Sequence, residues 1–265
     1  MTGRGIDHLV LAVRDLRLGA AFYERMGFTL TPLAQHPFGT GNRLAQLHGC
    51  FIEVLGVTRP ELITEAGPGE FSFGAYNRDF LVNRDGFSMI AFESYGPERD
   101  RSHFEAAGFE PAAPFSFVRM ALQPDGSEVE MGFDLTFVPR PEAPAAAVFT
   151  CSHRHRPEQF YKAAYQTHAN TAQRIDAVTI ETGDPDGTRE FLTEFNADPK
   201  MFDVVAADVA GERLAGYAVT VEDMDAARRA LSAGGVAFAE DGDELTVGPE
   251  DGLGTRITFC KESKL

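Results

Sequence analysis

The sequence predicts an α+β chain built from repeated βαβββ modules, the third of them abbreviated. Two observations carry this reading. An order of short apolar strand, amphipathic helix and closing glycine opens four times along the chain, and short β-branched or aromatic runs separated by Gly, Pro and Asn follow the openings. A length of 265 residues with 43% hydrophobic and 24% charged residues supplies a folded chain with a substantial core.

The first module starts with Ile6 to Val13 as a strand, after which Asp15 caps a helix carrying Leu16, Ala20, Tyr23 and Met26 on one face and Gly27 ends it. Phe28 to Leu33, Arg43 to Leu47 and Phe51 to Val57 are its three further strands. In the second module Phe87 to Phe92 is a strand and Asp100 to Ala107 a helix closed by Gly108. Strands at Phe115 to Leu122 and Glu128 to Phe133 flank the Pro124-Asp125-Gly126 turn. Ile175 to Thr182 with Asp186 to Phe195 opens the third module, and Ala215 to Val221 with Ala226 to Ala233 the fourth. Between Asn196 and Ala215 there is too little chain for three strands of about 5 residues each with their turns, so one or two are expected there. The Pro/Ala run Pro139 to Ala147, followed by a less regular stretch to Arg174, marks the boundary. The organisation expected is residues 1–138 as an N-terminal module pair, 139–174 as linker and histidine-containing segment, and 175–265 as a degenerate C-terminal pair.

Charge and cysteine usage narrow the function. With 24 Lys plus Arg against 40 Asp plus Glu the net charge is -16, and no basic patch larger than Arg154-His155-Arg156 offsets it, so nucleic acid and anionic membranes are not expected partners. Three widely spaced cysteines suggest no disulfide framework or CxxC zinc pair and fit a reducing cytoplasm. No apolar stretch reaches the roughly 20 residues of a membrane helix. No GxGxxG or GxxxxGK[ST] follows a strand, which argues against a nucleotide enzyme.

The openings GIDHLVLAV, AAFYERMGF and CFIEVLGV, together with HPFGTGNR and FTCSHRHRPEQFY…HANTA, resemble the vicinal oxygen chelate superfamily, and within it the glyoxalase-like domain proteins. The resemblance runs from residue 5 to about 260. It implies modules paired into cupped mixed sheets, the glyoxalase/bleomycin resistance/extradiol dioxygenase fold, with a divalent metal (Fe, Mn, Ni or Zn) held by first- and fourth-strand side chains. Lyases, isomerases, dioxygenases and metal-free sequestering proteins share that fold, so it does not fix the reaction. A homodimer is compatible with it.

His8 and Glu53 match the ligand positions of the first module, and an imidazole with a carboxylate suits such a metal. The residues alone leave a structural histidine as the other reading. Aligning the second opening puts Ser88 opposite His8, so the second histidine is missing there. Glu130, alternating with Glu128, could complete the metal set or act as a base, or face solvent. Ala177 and the acid-free TRITF strand leave the later modules structural. His153 and His168, from the C-x-H and H-x-N elements, are candidate general acid and base or substrate-orienting groups; hydrogen bonds tying a loop to the sheet would explain them equally. Thr40, Asn42 and Arg43, with Asn170, are candidate contacts to a small-molecule substrate, against an ordinary turn at Gly39 and Gly41. The 22 phenylalanines are core or pocket lining. Two functions follow: a metal-dependent enzyme on a substrate with vicinal oxygens, or a cup that sequesters a small molecule.

Overall fold

Period-two burial along the strands and capped amphipathic helices between them give two mixed sheets in the computed structural model, which describes residues 3–261. The first sheet has eight strands. Module one supplies β1 (Ile6–Ala12), β2 (Ala34–Gln35), β3 (Thr40–Gln46) and β4 (Phe51–Val57), with α1 (Leu16–Arg25) after β1. Asp15 caps α1 by accepting from the Leu18 amide at 3.0 Å. Module two supplies β5 (Gly86–Glu93), β6 (Phe115–Leu122), β7 (Glu128–Val138) and β8 (Ala147–His153), preceded by the helix α2 (Phe73–Asn83) and with α3 (Pro97–Ala106) after β5. The strand order β2-β3-β4-β1-β5-β8-β7-β6 joins the modules through an antiparallel β1–β5 pair, while β4 and β8 run parallel to β1 and β5.

Past two short helices, α4 (Pro157–Phe160) and α5 (Ala163–Gln166), the second sheet begins. Its abbreviated module has β9 (Ala172–Thr182), α6 (Pro185–Glu194) and one further strand, β10 (Phe202–Ala206). The fourth module is complete: β11 (Glu212–Val221), α7 (Met224–Ala233), β12 (Ala239–Asp241), β13 (Glu244–Val247) and β14 (Arg256–Lys261).

Three elements depart from the sequence expectation. Phe28 to Leu33 is irregular, and only Ala34–Gln35 pairs with β3. Helix α2 was not expected; Ser72 caps it from the Ala75 amide, and Phe73, Asn77, Phe80 and Leu81 recur on its buried side. The segment expected to be irregular contains β8, the fourth strand of module two. A parallel inner strand is apolar on both faces, so Val148 enters one core and Phe149 the other, and the alternation that marks an exposed strand is lost.

The first sheet buries both faces. Its convex face packs on the second sheet in one shared core, where Phe195 stacks on Phe92 (4.7 Å) and Phe104 (4.6 Å) and the Tyr23 and Tyr217 hydroxyls meet at 2.5 Å. The concave face is a separate core of Phe51, Phe73, Phe133, Phe137 and Phe149. Most of the crowded phenylalanines are therefore packing, and a few also wall the cup.

Candidate functional site

Alternation on the central strands decides which side chains enter the cup. On β4, Phe51, Glu53 and Leu55 face inward; on β3, Asn42, Leu44 and Gln46 do. A register shift between Ile6 and His8 breaks the pairing of β1 with β5 and lets both Asp7 and His8 sit buried at the cup, the re-aiming that bulges produce. Val10 pairs with Met89 and His8 with Ala91, and it is Met89 and Ala91, not Ser88, that join the cup core. Ser88 instead donates to Asn77 Oδ1 at 3.0 Å. Opposite Ala91 on β8 stands Phe149, so where module one has ligand-type side chains module two has apolar ones.

A chain of buried polar groups crosses the cup. Asp7 accepts from His8 Nδ1 at 2.5 Å with one oxygen and from His153 Nε2 at 2.8 Å with the other. A carboxylate only accepts, so both imidazoles donate to it. His8 Nε2 then faces Glu53, whose Oε2 lies 3.7 Å away. Burial pushes the Asp7 carboxyl up, but His153 and His8 outweigh it and hold it well below the usual carboxylate range. Stacking on Phe51 at 4.4 Å fixes the His8 ring.

Glu53 is held from its other side. Asn42 donates its amide to Oε1, and His36 Nε2 lies 3.8 Å from the same oxygen. Burial and the nearby Arg119 and His8 charges keep His36 neutral, well below the usual histidine range. Its Nδ1 meets Thr40 Oγ1 at 2.7 Å. Two imidazoles, each oriented through Nδ1 by an oxygen, thus flank one carboxylate, and Asn42 Oδ1 is buried beside them without a hydrogen-bond partner. The two imidazoles approach different oxygens of Glu53, at 3.7 and 3.8 Å, and His36 Nε2 also lies 3.2 Å from the Asn42 amide nitrogen, so closing the three on one ion requires the side chains to rearrange. Two imidazoles and a carboxylate are donor types that suit a divalent metal. Among the described residues, the group that brings one donor atom each within 4.8 Å of the others is Asp7, Cys151 and His153. There the Asp7 oxygens are already taken, and burial holds the Cys151 thiol protonated, where a metal needs the thiolate.

His8, Glu53, His153, Asn42 and Thr40 are therefore brought together as the sequence suggested, and His36 and Asp7 join them. His36 carries no signal of its own within HPFGTGNR; its place opposite Glu53 depends on the β2–β3 hairpin. The remaining candidates lie elsewhere. Glu130 is exposed on β7, which is the third strand of its module, so it does not complete the set. Arg43 alternates to the convex face and pairs with Glu24 of α1 at 2.9 Å. Asn170 bonds the Met26 carbonyl and the Ala172 amide. His168 accepts from the Thr29 amide at 3.0 Å and donates to the Gln46 carbonyl at 2.9 Å, which uses both ring nitrogens on backbone. Replacing His168 by alanine leaves those two buried groups unpaired and should cost about 1–3 kcal/mol with metal content unchanged. Chemical denaturation with metal analysis of the variant checks this, and loss of metal with stability intact would contradict it.

With His36, two further histidines make folding pH-dependent. Burial and the neighbouring His153 charge lower His155 to about 4, and burial lowers His168. Both stay neutral in the native state where an unfolded histidine, near 6.5, takes up a proton. Their contribution is complete above pH ~6.5 and is lost as pH falls through that value toward the folded one. The denaturation midpoint should be lower at pH 5 than at pH 7.5; an equal or higher midpoint would disprove the assignment.

The cavity at the centre is about 30 Å³, room for a water or a single substrate oxygen, walled by Phe38, Phe73, Phe117 and Phe149. A wider cleft of about 450 Å³ lies at Arg140 and Glu212. Those charges satisfy each other at 2.6 and 2.8 Å, and the cleft gathers no comparable set of imidazoles.

Comparison with known proteins bears on the fold. A structure described as a hypothetical protein from Staphylococcus aureus superposes with a TM-score of 0.67 at 12% identity, covering 97% of this chain and 99% of that one. A substituted variant of 4-hydroxymandelate synthase from Streptomyces coelicolor gives 0.60 at 13%, covering 99% and 94%. Homoprotocatechuate 2,3-dioxygenase from Arthrobacter globiformis gives 0.60 at 13%, covering 98% and 80%. No curated protein matches in sequence. The family model for the glyoxalase-like domain matches residues 6–196, the span that holds β1 to β9 and the whole cup. The chain belongs to the glyoxalase-like domain family of the vicinal oxygen chelate fold.

Proposed function

We propose that this protein is a divalent-metal-dependent enzyme of lyase, isomerase or dioxygenase type acting on a small substrate with vicinal oxygens. The observation that carries the reading is the convergence of His8 Nε2 and Glu53 at one point of a buried cup, with Asp7 fixing the imidazole from behind. His8, Glu53 and His36 would hold the metal, which supplies a Lewis acid to polarise a substrate oxygen. Asp7 sets the tautomer of His8. His153, bonded to Asp7 and 3.2 Å from His155 Nε2, can hold or pass a proton between the cup and the outer histidine. The phenylalanine walls exclude water.

The second reading, a sequestering cup, draws on Met89 and Phe149 standing where module two would otherwise offer ligands. Elemental analysis of the freshly purified protein separates the two. The enzyme reading expects about one transition metal per chain, or its uptake on reconstitution with Fe(II), Mn(II), Ni(II) or Zn(II). No uptake of any of the four would remove it and leave the sequestering cup.

A further inference from the structure

Arg119 is a largely buried cation with no ion-pair partner among the described residues. It sits on β6, where Phe115, Phe117 and Arg119 alternate inward while Val118 and Met120 face solvent. Only 7% of the residue is exposed, yet its guanidinium makes no ion pair or hydrogen bond among the described residues. Its one close companion is the Phe133 ring, 5.5 Å from Cζ. Glu53, the acid it feels most strongly, stays outside ion-pair distance and is engaged by Asn42. Largely removing a guanidinium from water without a counterion is costly, and an anion reaching it from solvent would offset that cost.

The position says what kind of anion. Arg119 lines the central cavity together with His8, His36 and Glu53, and also lines a second small cavity beyond it, of about 20 Å³, with Gln46, Lys162 and Tyr165. It therefore stands between the metal-type residues and a path outward. A guanidinium presents paired N–H donors that match a carboxylate or a phosphate. Arg119 is the only arginine or lysine lining the inner cavity, and Glu53 is close by, so a dianion would meet one positive charge and one negative. A single negative charge fits better. The cavity of about 30 Å³ admits the charged end alone, so an apolar body behind it requires the phenylalanine walls to part.

We propose that Arg119 is a substrate-binding residue that clamps the carboxylate of a small monocarboxylic acid in the cup. The inference rests on the cup being a substrate site, and it defines the substrate class. It stands apart from the metal question, since it is read from the carboxylate rather than from metal content.

The test compares acids with their neutral amides: acetate with acetamide and benzoate with benzamide, titrated by calorimetry into the protein as purified and again after chelator dialysis, so that a carboxylate bound to a metal is distinguished. Wild type should bind an acid at least ~10-fold tighter than its amide in both preparations, and R119M should bring that ratio near one while amide affinity is kept. R119K, which keeps the charge and loses the fork, should fall between. Inorganic phosphate should bind more weakly than benzoate. Equal affinity of wild type for acid and amide, survival of the ratio in R119M, tighter binding of phosphate, or no saturable binding of any acid would each overturn the proposal. The wild-type ratio needs no variant, so poor folding of R119M leaves the test decisive. Acid discrimination in protein that takes up no metal would keep the clamp and discard the metal-enzyme reading; metal uptake without discrimination would do the reverse.

Discussion

Glu53→Ala is expected to abolish stoichiometric metal binding. The carboxylate is the group that faces both imidazoles, with His8 Nε2 at 3.7 Å and His36 Nε2 at 3.8 Å, and no other acid lines the central cavity. Two imidazoles without a carboxylate keep weak affinity at best, so the loss should exceed 100-fold; His8→Ala should match it. Asp7→Asn acts one step back. The amide can still hold His8, but without the charge that makes the imidazole a better donor, and such outer partners typically contribute 10–100-fold in affinity. His168→Ala should bind metal as wild type does. Measured by competition with a chelating dye, this ranking of Glu53 and His8, then Asp7, then His168 is specific to the site described. Full metal occupancy in Glu53→Ala would place the metal elsewhere, with the Asp7, Cys151 and His153 group the next site to examine.

The largest loss of stability is expected from Asp100→Ala, although Asp100 is far from the cup in function. Its carboxylate, at the start of α3, pairs with Arg4 at 2.8 Å, and both side chains are almost completely buried. It also accepts from Ser94 Oγ and the Tyr95 amide. Arg4 in turn donates to the Glu93 carbonyl at 3.0 Å and lies 4.2 Å from the Tyr95 ring. The backbone of Arg4 bonds Asn196 and Asp198, so one residue ties the start of β1, α3 and the loop after α6 together. Removing the acid leaves a buried guanidinium with no countercharge, which costs about 3–5 kcal/mol. A double replacement, Arg4→Met with Asp100→Leu, should recover much of it, because paired removal leaves no orphaned charge. Urea denaturation of the three proteins checks this. A loss under about 1 kcal/mol for Asp100→Ala would mean that the pair is screened by water in solution.

These two results differ in how far the sequence foretells them. His8 and Glu53 are legible because they sit on strands whose alternation can be counted and whose flanking residues resemble a known family. Asp100 gives no such signal. An aspartate in the first turn of a helix is ordinary, and its burial is created by Arg4, which lies in a different module. Arg119 is similar: on an exposed-looking edge strand it reads as a surface charge, and only the curling of the first sheet puts it over the cup. The expected serine at position 88 failed for a local reason, since the shifted pairing of β1 with β5 moves the inward position to Met89.

The resemblance marked His8 and Glu53; the sequence by itself determined the α+β class, the repeated modules with a shortened third, and the caps and turns. These depend on period, capping chemistry and chain length, all of which are local. Tertiary structure decided that β8 completes the second module, that His36 and Asp7 belong to the site, that Glu130, Arg43, His168 and Asn170 stand outside the cup, and that Arg119 is left without an ion-pair partner among the described residues. Each of these depends on register, strand order or the closing of one sheet edge over another, and so on contacts between residues far apart in the chain that no local pattern records.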